Sequence, residues 1–239
     1  MADIEVWLIT YKDLSNLPHL LENLYKVPDV SVAVVDNSVS EDTKAQIQGL
    51  LRGKDRSYFP ERNLFCCRAS QYLLETTTAH YCIYLCAPHV HIYDPSFVDD
   101  CVRVLDAGMV GLAGDVVVYP GLFYYQSSWS LARFPSDHPS YFPDPMPKLE
   151  GQFSLPEIYE KADTRIHVQG GLWAAKPDIL KEVGGFDTAF VHKFMDIELS
   201  VRVQCYGYTL ARVDSVKSDY RSDKPTTSEA YKAVHKYSD

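Results

Sequence analysis

Two short apolar, β-branched runs flank a leucine-rich segment near the start of the chain, and that spacing constrains the fold more than any other feature. The runs are residues 4–9 (IEVWLI) and 30–35 (VSVAVV). Apolar runs of this length fit strands buried on both faces of a parallel sheet. Between them Leu14, Leu17, Leu20, Leu21 and Leu24 recur at helical spacing. Asp13 and Ser15 are candidate caps, and Pro18 falls near the first turn, where a missing N–H does little harm. Ser40 to Leu51 reads as a second helix, Tyr58 and Phe59 as a minor strand, Cys67 to Thr76 as a third helix, and residues 81–86 (YCIYLC) as another strand. This βαβα order predicts an α/β fold with a mostly parallel, Rossmann-like central sheet flanked by helices. Ligands of such sheets bind beyond the carboxyl ends of the strands. Three strand exits therefore matter: Thr10-Tyr11, Asp36-Asn37-Ser38, and Ala87-Pro88-His89-Val90-His91.

The rest of the chain continues the pattern with one interruption. A helix near 96–107 and a strand near 109–118 precede residues 120–156, which hold seven of the fourteen prolines and a heavy aromatic load. That stretch reads as an irregular insertion within a single domain spanning 1–213, packed or ligand-facing rather than a solvated linker. Regularity returns with 165–168 (RIHV), Gly170-Gly171 at a strand exit, and a helix opened by Pro177. Gly184-Gly185-Phe186-Asp187 is a turn. A helix from about Asp196 to Tyr206 is closed by Gly207, and 208–213 (YTLARV) forms a last strand. The tail, 214–239, is loosely patterned.

Net charge is −9, which does not advertise a nucleic-acid or anionic-membrane surface. No segment reaches the roughly 18 uninterrupted apolar residues of a spanning helix. The acidic start is unlike a secretory signal, and six cysteines are too sparse for a disulfide scaffold, so a soluble cytoplasmic protein with reduced thiols is expected. No G-x-G-x-x-G follows the first strand, which speaks against a dehydrogenase.

Several stretches taken in order carry a resemblance: Thr10-Tyr11 before the leucine helix, Val34-Val35-Asp36-Asn37-Ser38, Asn63 with Arg68, Gly170-Gly171-Leu172, Gly184-Gly185-Phe186-Asp187, and Asp196-Ile197-Glu198-Leu199-Ser200-Val201-Arg202. Together they resemble the family 2 glycosyltransferases, inverting nucleotide-sugar enzymes of the GT-A fold, over roughly residues 4–213. The resemblance implies transfer of a sugar from a nucleotide-sugar donor, a UDP-sugar, to a hydroxyl acceptor. A glycan or modified small molecule is the expected acceptor, with nucleic acid less favoured by the charge.

The chemistry of each position follows. Thr10, Tyr11, Asp36, Arg68 and Ala87 fall at the donor nucleotide site, where an acid can accept hydrogen bonds from a uracil imide or ribose hydroxyls. Asp36 serves equally well as a turn residue satisfying backbone N–H groups. Where the family has an Asp-x-Asp for its divalent ion, this chain has His89 and His91. Alternation in an extended segment puts both on one side, and imidazole suits Mn2+ or another transition metal better than Mg2+. Adding His80, Cys82 and Cys86 to this pair gives a competing reading, a structural zinc cluster. Asp196 corresponds to the family's general base, which takes the acceptor proton during in-line attack. As a first-turn acid it would be stabilised as the anion, and it would also be an ordinary N-cap. Glu198 pairs with Arg202 at i+4. Gly170, Gly171 and Trp173 fall where acceptor or sugar contacts are expected, although a turn and a core residue account for them as well. Loss of the acidic metal motif keeps a second function open, a degenerate module that binds nucleotide or glycan without chemistry.

Overall fold

A computed structural model describes residues 3–86, 95–118, 166–188 and 195–213. These form seven strands: β1 (Ile4–Thr10), β2 (Val30–Asp36), β3 (Arg56–Tyr58), β4 (Tyr81–Leu85), β5 (Val110–Val118), β6 (Ile166–Ala175) and β7 (Thr209–Arg212). Six helices accompany them: α1 (Leu17–Leu24), α2 (Glu41–Leu50), α3 (Phe65–Thr76), α4 (Phe97–Leu105), α5 (Pro177–Glu182) and α6 (Met195–Cys205). The strands make one sheet in the order β3-β2-β1-β4-β6-β5-β7, in which β6 alone runs against its neighbours. Growth from β1 goes first outward through β2 and β3, then reverses to β4 on the other side. That reversal places the switch point between β1 and β4, so their carboxyl ends open the crevice where an α/β sheet takes its ligand.

Side-chain alternation divides the core into two layers. Ile4, Val6 and Leu8 face α1, α2 and α4, while Trp7 and Ile9 face α3, α5 and α6. The leucine segment works as its spacing predicts: Leu17, Leu20, Leu21 and Leu24 are all at most 2% exposed. Burying each contributes roughly 1.5–3 kcal/mol. Pro18 lies in the first turn of α1, but Asp13 and Ser15 do not cap it, because Asp13 Oδ1 instead accepts from the Ser15 N–H and hydroxyl in the preceding loop. Ser40 does cap α2, accepting from the Thr43 N–H. Gly207 ends α6 at φ +87°, as a left-handed stop should.

The clearest departure from the sequence pattern is in β6. Gly170-Gly171 is not at a strand exit; it lies inside a ten-residue strand. Between Gly114↔Trp173 and Val116↔Val168 the partner β5 advances two residues while β6 advances five. This bulge explains why Val168 and Trp173, an odd number of residues apart, both face the α3–α6 layer. Of the residues in the zinc reading, Cys82 is buried in the core with its thiol donating to Ala175 O, and no group of three or more His, Cys, Asp or Glu able to hold a metal occurs among the described residues. No helix of the described residues is long and apolar enough to cross a membrane.

One ionic contact ties the edge strand to the centre. Arg56 of β3 reaches past β2 and grips Glu5 of β1 through Nε–Oε1 at 2.7 Å and Nη2–Oε2 at 2.8 Å, with Trp7 Nε1 donating to Oε2. Burial raises the Glu5 carboxyl, but Arg56 and the Thr77 and Trp7 hydrogen bonds outweigh it and hold the carboxyl below its usual range. A depressed carboxyl stabilises the fold above its unfolded pKa and loses that contribution as pH falls through the folded value. Arg56→Ala leaves a buried carboxylate without its cation. Because the Arg56 side chain is 33% exposed, the expected cost is about 2 kcal/mol rather than the larger loss of a fully buried pair. Urea titration across pH 3–7 checks this, the deficit being greatest near neutrality and shrinking on acidification.

Candidate active site

The loops leaving β1 and β2 are laced together by one carboxylate. Asp36 Oδ1 accepts from the Thr10 hydroxyl at 2.9 Å, the Ser38 hydroxyl at 2.6 Å and the Ser38 N–H at 3.2 Å, and Oδ2 accepts from the Thr43 hydroxyl at 2.6 Å. Asp36 is 1% exposed. Two further bonds cross the same gap, from Asn37 N–H to Thr10 O and from Lys12 N–H to Ser38 Oγ. The neighbouring Asn37 ties in α3: its Oδ1 accepts from the Leu64 N–H, and its amide donates to Phe65 O. Asn63, part of the expected pattern, accepts from the Phe65 N–H.

These bonds hold a strained backbone. Lys12, Val39 and Phe65 have φ of +59°, +53° and +57°, each at a loop on this edge of the sheet. Such conformations cost roughly 1–3 kcal/mol each for residues with a Cβ, and more readily trouble a β-branched residue such as Val39. Hydrogen bonds to a charged group are worth about 1.5–3 kcal/mol apiece, so the four on Asp36 suffice to hold the loops in place. Tyr11 stands half-buried at the rim with the Lys12 ammonium 5.3 Å from its ring centre, and Arg68 is exposed on α3.

On the other side of β1, the β6 bulge presents its peptide groups to the site. Gly171 O accepts from Cys86 N–H at 2.9 Å, fixing the end of β4. The Gly170 N–H donates to Asp196 Oδ2 at 2.9 Å. A Cβ on Gly170 would lie 3.0 Å from that oxygen, close enough that the carboxylate would have to shift by a few tenths of an ångström. The start of α6 is clamped to β6 a second time through Ser200, whose hydroxyl accepts from Val168 N–H and donates to Asp196 O. Ala87, His89 and His91 lie outside the described residues.

Burial, not the helix terminus, sets the acidity of Asp196. It pushes the carboxyl above its ordinary value, while His167 and the N–H groups of Ile197 and Gly170 pull in the opposite direction. The expectation of a simple anion stabilised by the helix start is corrected accordingly. His167, buried in β6, was not singled out by its sequence context; burial lowers its imidazole and the Asp196 charge raises it. Nearby, burial pushes the thiols of Cys66 and Cys86 up to about 11 and about 12, both hydrogen-bonded with the Tyr84 hydroxyl, so they are neutral walls rather than nucleophiles. Glu198 takes the bidentate Arg202 pair at 2.6 and 2.7 Å, and Arg202 also donates to Val183 O. Trp173 is 1% exposed, stacked on Tyr84 with ring centres 5.1 Å apart and edge-on to Trp7. That places it beneath the site, in the core, rather than at a sugar-facing surface.

Comparison with solved structures identifies this architecture as the GT-A fold. The chain is similar to the mannosyltransferase PcManGT from Pyrobaculum calidifontis in complex with GDP-Man and Mn2+ (17% identity, 92% of this chain and 58% of that one, TM-score 0.63). It is also similar to GalNAc-T7 with UDP, GalNAc and Mn2+ (15% identity, 99% and 48% covered, TM-score 0.63). A third similar structure is the glucosyl-3-phosphoglycerate synthase from Mycobacterium tuberculosis in complex with Mn2+, UDP and glucosyl-3-phosphoglycerate (12% identity, 98% and 76% covered, TM-score 0.53). The chain thus spans about half the length of the first and second of these proteins. No protein-family model and no curated protein matches the sequence.

An acid raised by burial weakens the fold as pH climbs through its ordinary pKa, because the native state prefers the protonated form. Asp196→Asn keeps an oxygen for the Gly170 N–H and removes that penalty. The variant should melt about 2–4 °C higher than the parent at pH 7.5, equivalent to roughly 1 kcal/mol in a chain of this size, with the advantage fading by pH 4. Calorimetric melting at both pH values checks it.

Proposed function

We propose that this protein is an inverting glycosyltransferase of the family 2 type, moving a hexose from a UDP-sugar to a hydroxyl acceptor. The observation that carries the reading is Asp196: a half-buried carboxylate, held by the Gly170 N–H and raised in affinity for protons, at the mouth of a GT-A sheet. The three similar structures described above are complexes with nucleotides or nucleotide sugars and Mn2+.

The donor's nucleotide lies against the laced exits of β1 and β2, with Thr10, Tyr11 and Asp36 on that side, Ala87 assigned to it by sequence alone, and Arg68 supplying a cation towards the diphosphate. Attack by the acceptor oxygen on the anomeric carbon, from the face opposite the diphosphate, acidifies the attacking hydroxyl. Asp196 takes that proton as the bond forms, and its raised pKa improves it as a base at the moment of transfer. His167 stabilises the carboxylate that waits beforehand. His89 and His91 form an imidazole donor set suited to Mn2+ or another transition metal, which would neutralise charge on the departing diphosphate. Gly170 and Gly171 bring bare backbone beside Asp196 on the acceptor or sugar side, and residues 120–156 supply further acceptor contacts, a glycan fitting their aromatic content best.

The test is transfer and donor hydrolysis by the purified protein with a panel of UDP-sugars and Mn2+. Asp196→Asn should lower kcat by about 10²–10⁴ while UDP affinity stays within twofold. Anomeric NMR of the product should show inverted configuration. Turnover unchanged in the variant removes Asp196 as the base, and tight UDP binding by the parent without turnover under several metals identifies a binding module instead.

A further inference from the structure

The glycine turn after α5 is gripped from two helices at once. Gly184 and Gly185, at φ +96° and +73°, reverse the chain, and their N–H groups close α5 on Lys181 O and Leu180 O. From one side Arg202 of α6 donates to Val183 O at 2.8 Å while it forks Glu198. From the other side Gln71 of α3 accepts from the Phe186 N–H through Oε1 at 2.8 Å, and its Nε2 donates to Glu75 at 2.8 Å, one turn further along the helix. A carboxylate only accepts and a peptide N–H only donates, so these two partners fix which end of the Gln71 amide faces the turn. A Cβ on Gly185 would lie 2.5 Å from Gln71 Oε1, which shows how closely the amide is seated on the turn backbone. Phe186 packs on Trp173 in the core below.

The same two helices carry the two halves of the candidate site. The start of α3 is bonded to Asn37 at the exit of β2, and the start of α6 presents Asp196 to the Gly170 N–H. Cys67 of α3 and Met195 and Ile197 of α6 share one buried cluster, so the helices meet beside the turn that both of them hold. A general base misplaced by a fraction of an ångström loses turnover far more than it loses ligand affinity. Resting on the reading of Asp196 as that base, we infer that Gln71 is a positioning residue. Acting through the Phe186 turn and Arg202, it fixes where α6 sets Asp196 against Gly170.

Hydrogen exchange at the Phe186 and Gly170 amides, UDP affinity by calorimetry, and hydrolysis of UDP-glucose with Mn2+ test this in the full chain. The Gly170 amide reports the Asp196 carboxylate directly and needs no substrate. Gln71→Leu should speed exchange at both amides at least tenfold and leave the Trp7 and Val34 amides of the central strands within twofold. It should lower kcat about tenfold with UDP affinity within twofold. Gln71→Glu, which sets two carboxylates side by side, should move the same readouts in the same direction. Adding Glu75→Gln to it exchanges donor and acceptor along the pair and should return every readout to within threefold of the parent. Faster exchange at Phe186 with Gly170 unchanged overturns the inference, as does Gln71→Leu weakening UDP in step with kcat, or a double variant no better than Gln71→Glu. Should Gln71→Leu not fold, the comparison of Gln71→Glu with the double variant decides alone. A parent that neither binds UDP nor turns over the donor defeats the glycosyltransferase reading, and the exchange results still decide whether Gln71 holds Asp196 in place.

Discussion

Parallel pairing of β1 with both β2 and β4 forces the chain to leave all three strands on one edge of the sheet, and everything of functional interest follows from that constraint. Loops from strands that are adjacent in space but far apart in sequence must then share one small region. Without internal bonds they would clash or spread; here those leaving β1 and β2, with the start of α3, are laced by Asp36, Asn37 and Ser38 into a single frame. The three positive-φ residues on this edge mark where the backbone was bent to fit. Strain at such a place is tolerated because the surrounding bonds over-determine the geometry, which is how rigid ligand-binding loops are made.

The antiparallel β6 completes the frame from the opposite side. Its bulge takes peptide groups out of the β5 ladder and turns them to other uses, one to the end of β4 and one to Asp196. The glycine pair matters chiefly for what it lacks. A side chain at Gly170 would crowd the carboxylate, so strand irregularity and acid placement are coupled.

Much of this was legible in the sequence, and the parts that were not share a cause. The buried runs of β1, β2 and β4, the leucine face of α1 and the Gly207 stop are local signals, each readable from a few neighbouring residues. Gly170-Gly171 carried the right residues but the wrong context, because a turn and a bulge ask for the same glycines and differ only in whether the strand resumes afterwards. His167 left no trace, since its burial and its coupling to Asp196 come from β6 packing on α6, and no periodicity records a contact between residues so far apart. Trp173 read equally well as a sugar platform or as core, and only the rings of Tyr84, Trp7 and Phe186 around it show the packing. The acceptor loop proposed at 120–156 and the histidine pair lie outside the described residues, so their reading still stands on sequence alone.

Two carboxylates two residues apart on α6 show how environment divides their roles. Glu198 and Asp196 are both raised by burial, and both have a basic side chain opposing that rise. The difference lies in geometry. Arg202 occupies both oxygens of Glu198 in a fork and anchors itself on Val183 O, so protonating Glu198 would strand a buried guanidinium. Asp196 is met by backbone N–H groups, among them those of Gly170 and Ile197, and by the His167 imidazole, with no guanidinium fork of the kind that holds Glu198. One acid is therefore committed to holding the helix against the Gly184-Gly185 turn, and the other keeps the capacity to gain and release a proton.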